Sequence, residues 1–418
     1  MSDQGGLARR LGTGDAVVIG MGSMIGAGVF VAFAPAARAA GAGLLLGLAV
    51  AAAVAYANAT ASAQLAAQYP TSGGTYVYGR ERLGPWWGFL AGWSFVIGKT
   101  ASCAAMALTF AAYAAPAAWA KPVAVAAVVG LATVNYRGVT RTARLARVIV
   151  AVVLAALAVV ILAGLFGAEP RWAQVTVWSS GSGGWYGVLQ SAGLLFFAFA
   201  GYARIATLGE EVRDPASTIP RAIQIALGVT VVVYASIAVT LLTVLGPAGI
   251  AATSAPLASA VDASTWTWAG PVVRIGSATA ALGALLALIA GVGRTELAMA
   301  RTGDLPRWLA AVHPRYGVPH HAEIALAAAV CLLVLTVDLR GAIGFSSVGV
   351  LLYYLVANLA AFTQAPEHRR FPRALQGFGA LGCVALVATL PPPSVLAGIG
   401  VLLVGLLYRA WRLRREPP

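Results

Sequence analysis

A chain of 418 residues that is 60% hydrophobic and only 10% charged, with a mean hydropathy of +0.82, is too apolar for a soluble globular protein of this size. The formal net charge of +14 would suit a nucleic-acid partner, but the cationic residues cluster in short segments between apolar runs. The three cysteines lie in apolar runs without metal-ligand spacing, which indicates buried free thiols. The composition therefore excludes a soluble enzyme and a nucleic-acid-binding protein, and it indicates an all-α integral membrane protein in a lipid bilayer.

Twelve apolar runs are long enough to cross a bilayer, for which a helix needs about 20 residues. The third run is the longest of the first six, and the eighth run is the longest of the last six. Their length predicts helices that are tilted in the bilayer. The predicted spans are residues 14–38, 43–67, 85–116, 122–138, 145–167, 185–210, 221–246, 271–298, 322–338, 341–363, 374–391 and 393–411.

The distribution of Lys and Arg between the predicted spans sets the orientation. With a cytoplasmic N-terminus, the inside segments hold 21 of these residues and the outside segments hold 5. This asymmetry is the one that cytoplasmic loops show in membrane proteins. The sequence therefore predicts a multi-pass protein of the plasma or inner membrane with both termini in the cytoplasm.

The first span contains four glycines between Gly20 and Gly28. Each glycine weakens a helix, and an unwound backbone is tolerated in a bilayer only where protein buries it or where it lines a cavity. The pattern therefore has two interpretations. It forms either a close helix–helix contact or a break that presents backbone groups to a ligand.

The sixth span carries a second interruption by small residues, Phe196-Phe197-Ala198-Phe199-Ala200-Gly201-Tyr202, at a similar depth. By itself this stretch is compatible with an ordinary aromatic-rich helix. Five spans separate the two interruptions, so the second half of the chain would be inverted in the membrane. Paired interruptions in two inverted halves indicate the binding site of a secondary transporter.

Several motifs in order along the chain resemble those of the amino acid–polyamine–organocation (APC) permeases. The resemblance implies a LeuT-like fold in a single domain, 1–418, with helices 1 and 6 broken at the substrate. Its two inverted five-helix repeats would be 14–167 and 185–363, followed by two extra helices in 374–411. The motifs are Gly22-Ser23-Met24-Ile25-Gly26-Ala27-Gly28-Val29-Phe30, Tyr69-Pro70-Thr71-Ser72-Gly73-Gly74-Thr75-Tyr76 with Gly92-Trp93, Phe199-Ala200-Gly201-Tyr202 leading to Glu210-Glu211-Val212-Arg213-Asp214-Pro215 and Ile219-Pro220-Arg221-Ala222-Ile223, and Ala298-Met299-Ala300-Arg301-Thr302-Gly303-Asp304-Leu305-Pro306.

A broken helix leaves N–H groups unpaired at the start of its second half, where the helix dipole also favours an anion. In the first span these donors are Gly26, Ala27 and Gly28, and they suit a carboxylate. The opposite helix end in the sixth span offers the carbonyls of Phe197, Ala198 and Phe199, which suit an ammonium group.

The resemblance adds particular roles to these two breaks. It implies that the substrate α-carboxylate binds the first set of donors, and that its α-amino group binds the Ile25 carbonyl together with the second set. It also implies that Phe197 closes over the substrate, for which simple core packing is the alternative. Gly201, within the second interruption, completes the predicted substrate-binding residues.

Two cations lie inside predicted spans. A mid-membrane ammonium such as Lys99 is costly, so it is expected to carry the coupling proton or a fixed charge beside the substrate. The alternative is a structural lysine bonded to unwound carbonyls. Arg204 lies one turn beyond the second break and could form an inner gate with Glu210, Glu211 or Glu296, or could instead snorkel to the interface.

Two residues depart from the family pattern and put an imported coupling mechanism in doubt. Val153 stands where some proton-coupled members have a lysine, and Ala203 stands where many members have an acidic residue. Sodium is not expected, because the inner part of the eighth span, Ala280 to Gly293, contains no Ser, Thr, Asn or Asp. The sequence also shows no catalytic constellation, metal-ligand spacing or phosphate loop, so neither an enzyme nor a cofactor is expected.

The sequence therefore predicts an amino acid permease that works by alternating access and is driven by protons. No acidic residue lies deep in the predicted spans, which favours neutral or acidic substrates over dicationic ones. An ion-independent exchanger and a non-transporting amino acid sensor remain as alternatives.

Overall fold

The computed structural model describes residues 11–70, 73–138, 143–176, 183–206, 208 and 211–415. Regular structure in these residues is helical, apart from one isolated bridge between Leu11 and Val212. The helices are α1 (Thr13–Met24), α2 (Gly28–Val31), α3 (Phe33–Ala40), α4 (Leu44–Gln68), α5 (Gly74–Leu83), α6 (Pro85–Ala114), α7 (Ala120–Tyr136), α8 (Ala143–Phe166), α9 (Ala173–Thr176), α10 (Gly184–Phe199), α11 (Ala203–Ala206), α12 (Pro215–Ala252), α13 (Pro256–Asp262), α14 (Ala269–Arg301), α15 (His320–Thr336), α16 (Leu339–Phe362), α17 (Arg373–Thr389) and α18 (Pro392–Arg415).

Ten helical segments in the described ranges are long and apolar enough to cross a membrane. Two shorter apolar helices, α15 and α17, coincide with the ninth and eleventh predicted spans. The chain is thus an all-helical, multi-pass membrane protein. Its twelve-span count and the two inverted repeats remain predictions, as does the cytoplasmic position of the termini.

The first predicted span is divided as its glycines suggest. Helix α1 ends at Met24, and α2 begins at Gly28. The chain between them, Ile25 to Ala27, leaves the helix although it is buried. The sixth predicted span consists of α10, a 3-10 turn over Ala200–Tyr202 and the short α11.

Helices α6 and α16 cross closely in the core because two glycines face each other. A methyl group built on Gly349 would lie 2.7 Å from Gly98 Cα and 2.6 Å from the Ser94 carbonyl oxygen. One turn further, the hydroxyls of Ser102 and Ser346 lie 2.7 Å apart. Small residues and buried hydroxyls are the means by which helices associate in lipid.

The last helix, α18, is held against α6 and the end of α14 by polar contacts. The Trp93 indole donates to the Val401 carbonyl over 3.0 Å. The guanidinium of Arg409 forms an ion pair with Asp304, and both side chains are buried. The same guanidinium lies over the rings of Trp86 and Phe89, 5.1 and 4.9 Å from their centroids.

The N-terminal end of α1 is attached to the chain that follows α11. The Leu11 N–H donates to the Glu211 carbonyl over 3.1 Å, and the Arg213 N–H donates to the Leu11 carbonyl over 2.9 Å. Asp15 in the first turn of α1 also forms an ion pair with Arg147 of α8. The segments on this side of the two interruptions are therefore joined by backbone hydrogen bonds.

Candidate functional site

The two interruptions lie in direct contact at the centre of the bundle. A methyl group built on Gly201 would collide with the backbone of Ser23 and Met24. A methyl group built on Gly28 would lie 2.8 Å from Ala198 Cα. Both interpretations of the glycine pattern therefore apply. The helix is broken between Met24 and Gly28, and the glycines next to the break allow close helix–helix contact.

A tyrosine hydroxyl connects the two interruptions. Tyr234 of α12 places its hydroxyl oxygen 2.6 Å from the Met24 carbonyl oxygen and 3.0 Å from the Ala198 carbonyl oxygen. Its ring packs on Phe199, with 5.0 Å between the ring centroids. The hydroxyl has one proton, so the two carbonyls at the helix ends share one donor.

Replacing Tyr234 by phenylalanine is expected to lower the free energy of unfolding by about 1–3 kcal/mol, because two buried carbonyl oxygens lose their donor. The same change is expected to slow substrate uptake, since it frees both helix ends. Thermal unfolding in detergent and uptake into proteoliposomes measure the two effects. Tyr186→Phe is the matched control, since that side chain is 51% exposed, and equal behaviour of the two variants would contradict the prediction.

Lys99 lies beside the second interruption. It is 9% exposed, and its Nζ lies 3.5 Å from the Ala200 carbonyl oxygen. The Tyr354 hydroxyl donates to the same oxygen over 3.2 Å. This is the geometry of a lysine bonded to an unwound carbonyl, and the C-terminal end of α10 also favours a cation through its dipole.

Helix α10 continues through Phe199, so Phe197 and Ala198 remain helical. The carbonyl that receives an ammonium group here is that of Ala200, beyond the three carbonyls selected from the sequence. The Ala198 carbonyl accepts a hydrogen bond from Tyr234. Phe197 is 7% exposed and packs in the core at this level.

On the side predicted to be extracellular, aromatic rings pack next to the first interruption. Phe30 and Tyr113 are buried, and their ring centroids lie 5.7 Å apart in an edge-on arrangement. The Tyr113 hydroxyl donates to the Phe30 carbonyl over 2.7 Å. Helices α2 and α6 are thereby joined directly above the first interruption.

On the side predicted to be cytoplasmic, polar side chains near the site are exposed. Ser23, Arg204 and Arg294 are all exposed, although each belongs to an apolar segment of the bundle. Arg204 interacts electrostatically with Glu211 and with Arg294, so these three charged side chains lie near one another. The predicted gate partner Glu210 lies outside the described residues.

Three functional candidates, Tyr234, Tyr354 and Glu323, could not be selected from the sequence, which named Glu296 only as a possible gate partner of Arg204. Tyr234 and Tyr354 are aromatic residues in apolar runs, where packing is the default interpretation. Glu296 and Glu323 lie near the ends of predicted spans, which suggested contact with water, yet they are only 7% and 3% exposed. Their burial depends on how α6, α14 and α15 pack together, and one sequence does not contain that information.

The chemistry available at the centre is hydrogen bonding and charge. No group of three or more His, Cys, Asp or Glu side chains is arranged to hold a metal in the part of the chain that is described. The buried backbone between Met24 and Gly28 can donate to a carboxylate, and the end of α10 can accept from an ammonium group. Together these two ends suit a small zwitterion.

Comparison with known proteins gives a consistent picture. A family model described as amino acid permease matches residues 11–408. The chain is 60% identical over 411 residues to an uncharacterized transporter of Mycobacterium tuberculosis, and the alignment covers 98% of this chain and 92% of the relative. It is 25% identical over 438 residues to the branched-chain amino acid permease BcaP of Bacillus subtilis, and the alignment covers 97% of this chain and 93% of the relative. It is 29% identical over 376 residues to human cationic amino acid transporter 4, and that alignment covers 83% of this chain and 58% of the relative.

Proposed function

Because this chain belongs to the amino acid permease family, we propose that it is a secondary active transporter that moves amino acids across the cell membrane by alternating access. The observation that carries the proposal is the contact between the two interrupted helices, where Gly201 packs on the Ser23 backbone and Gly28 packs on Ala198. Such paired breaks are where secondary transporters bind substrate and coupling ion. In this proposal Gly26, Ala27 and Gly28 hold the substrate carboxylate.

The substrate ammonium group is proposed to bind at the carbonyls of the Ile25 region and of the end of α10. In the structure this end already interacts with a cation, since the Lys99 ammonium lies 3.5 Å from the Ala200 oxygen. Lys99 thus stands close to where the substrate's own ammonium would bind. The positive charge of Lys99 would repel a second cationic group on the substrate. This repulsion favours neutral or acidic amino acids over dicationic ones.

A proton is the proposed coupling ion. The inner part of α14, from Ala280 to Gly293, offers no side-chain hydroxyl, amide or carboxylate to a sodium ion. Lys99 is proposed either to exchange the coupling proton or to hold a constant charge beside the substrate. Arg204 with Glu210 and Glu211 is proposed to form the inner gate.

The test is uptake of a panel of labelled amino acids by proteoliposomes that contain the purified protein. The liposomes carry an imposed pH gradient, with the inside alkaline, and a matched set carries a sodium gradient instead. Accumulation that follows the pH gradient would support the proposal and identify the substrate class. Uptake that requires preloaded substrate and ignores both gradients would show the ion-independent exchanger. Saturable binding without any uptake would show a sensor.

The role of Lys99 gives a separate prediction. Lys99→Ala is expected to abolish accumulation driven by the pH gradient, because the buried ammonium group is removed from the end of α10. Lys121→Ala is the control, since that lysine lies on the predicted outer side and donates to the Leu335 carbonyl. Normal uptake by Lys99→Ala with unchanged proton dependence would reject the coupling role.

A further inference from the structure

Two buried carboxyl groups lie outside the substrate site. Glu296 of α14 is 7% exposed and Glu323 of α15 is 3% exposed. The Oε2 atom of each has no hydrogen-bond partner among the described residues. An ionised carboxylate without a partner is costly in such a place, whereas a protonated carboxyl group carries no charge. Ionisable residues inside a membrane bundle usually belong to ion or proton pathways.

The positions of these two side chains follow from their helical neighbours. A methyl group built on Gly293 would lie 3.1 Å from Glu323 Cγ, so Glu323 packs against α14 one turn before Glu296. One turn after Glu296, Met299 packs against Gly92 of α6. Glu296 therefore lies on the face of α14 that runs between α15 and α6.

Glu296 and Glu323, called the acidic cluster below, face α6 on one side through Glu296. Glu296 interacts electrostatically with the Cys103 thiol of α6, and so does Lys99, which lies one turn earlier on the same helix. Lys99 in turn contacts the Ala200 carbonyl at the second interruption. Lys99 and Glu296 therefore share Cys103 as an electrostatic neighbour.

On its other side the cluster faces the predicted cytoplasmic surface through a histidine. His320 precedes Glu323 by one turn of α15, and its Nδ1 atom is buried without a partner in the described part of the chain. The His320 ring lies 4.2 Å from that of His321 and 5.3 Å from that of His313, measured between centroids. An imidazole of this kind can pass a proton between a buried acid and bulk water.

Other ionisable groups surround the cluster. Arg294 of α14 interacts electrostatically with Glu323 and with Arg204 of α11. Arg147 of α8 is paired with Asp15 of α1. The titratable and charged groups on α14, α15 and the segments around them also include Lys99, Cys103, Tyr113, Lys121, Tyr136, Asp262, Arg274, Arg301, Arg307, His313, His320, His321 and Cys331.

We propose that Glu296 and Glu323 form the proton-exchange site of the transport cycle, with His320 as the group that passes the proton to the cytoplasm. In the releasing step, the O–H bond of a glutamic acid breaks, and its proton moves to the neutral imidazole or to water. The carboxylate that remains on Glu323 is stabilised by Arg294. This inference rests on the proposed function and names the residues that would couple transport to protons.

The experiment measures how substrate affinity depends on pH in detergent, using the amino acid that the wild-type protein takes up best. Proton and substrate bind together in a symporter, so the wild-type affinity is expected to rise as pH falls, by up to about tenfold per pH unit. Glutamine imitates a protonated glutamic acid, so Glu296→Gln and Glu323→Gln are expected to bind substrate with little pH dependence. Both variants are expected to exchange substrate yet fail to accumulate it on a pH gradient. Glu81→Gln changes an exposed side chain of α5 and is the matched control. It is expected to keep the wild-type dependence of substrate affinity on pH.

A second measurement does not depend on transport. The infrared spectrum of the wild-type protein is expected to contain the carbonyl band of a buried protonated carboxylic acid, which Glu296→Gln should reduce. Glu296→Asp, which can still titrate, is expected to keep the pH dependence of binding. If Glu296→Gln does not fold, the infrared band of the wild type and the behaviour of Glu323→Gln decide the matter.

The proposal would be overturned if both glutamine variants kept the wild-type pH slope and accumulated substrate on a pH gradient. Failure of the proposed function has a different signature, in which the wild-type protein itself takes up no amino acid. Wild-type uptake that follows the gradient, together with unaffected glutamine variants, would leave the transport function standing and remove these two residues from it.

Discussion

Gly201→Ala is expected to abolish substrate uptake, with a loss of at least about 100-fold, because displacements of about 1 Å at a binding site have effects of that size. The added methyl group would collide with the backbone of Ser23 and Met24. Backbone atoms cannot rotate away as a flexible side chain can, so the two interrupted helices would have to separate. Initial rates of uptake into proteoliposomes, normalised to the amount of folded protein, measure the effect.

The control for this prediction is a glycine with free space around it. A methyl group built on Gly228 of α12 meets nothing within 4 Å, and the residue lies inside a regular helix. Gly228→Ala is therefore expected to leave uptake unchanged and to raise stability slightly, because alanine is the better helix former. Equal uptake by the two variants would mean that the contact between the two interruptions is not needed for transport.

Asp304→Asn is expected to lower the free energy of unfolding by about 3–5 kcal/mol, the usual effect of removing one partner from a buried ion pair. The charge of Arg409 would remain buried between Trp86 and Phe89 without its carboxylate. The Tyr76 hydroxyl, which donates to Asp304 over 2.7 Å, would also face a weaker acceptor. Burial raises the pKa of the Tyr76 phenol, so this group remains a donor.

Unfolding in detergent by heat or by denaturant measures this loss, and two further variants test its cause. Asp304→Asn combined with Arg409→Met is expected to recover part of the stability, because no buried charge is then left unpaired. Asp262→Asn breaks the pair with Arg274, whose members are 57% and 48% exposed, and it is expected to change the free energy of unfolding by less than about 1 kcal/mol. If Asp304→Asn were as mild as Asp262→Asn, the ion pair would not be what holds α18 in place.

The helical membrane fold could be predicted from the sequence because hydropathy and glycine are local signals. An apolar run must satisfy its backbone internally, so a helix is the only solution for an isolated segment. The break after Met24 follows from the four glycines for the same local reason. Phe197, Ala198 and Phe199 form the last turn of α10, where a helix leaves its carbonyl groups without intrahelical partners.

The partners at the site could not be predicted, since each joins residues far apart in the chain. Tyr234 contacts Met24 across 210 positions, and Lys99 contacts Ala200 across 101 positions. The Lys99 ammonium group lies beside the Ala200 carbonyl oxygen, as expected for a structural lysine. Its part in proton coupling or in holding a charge beside the substrate stays a proposal. The burial of Glu296 and Glu323 could not be predicted either, because a position near a helix end does not reveal which face of the helix other helices cover.

The hydrogen bonds between Leu11 and the chain at Glu211–Arg213 have a consequence for kinetics. They join the N-terminal half of the first interrupted helix to the segment that follows the second one. Gly201 adds a further attachment through its contact with Ser23. We therefore expect α1 and the segment after α11 to move as one rigid body in the proposed transport cycle, over a single activation barrier. A fluorophore on either half would report the same relaxation rate, and weakening this short backbone pairing would split that rate into two.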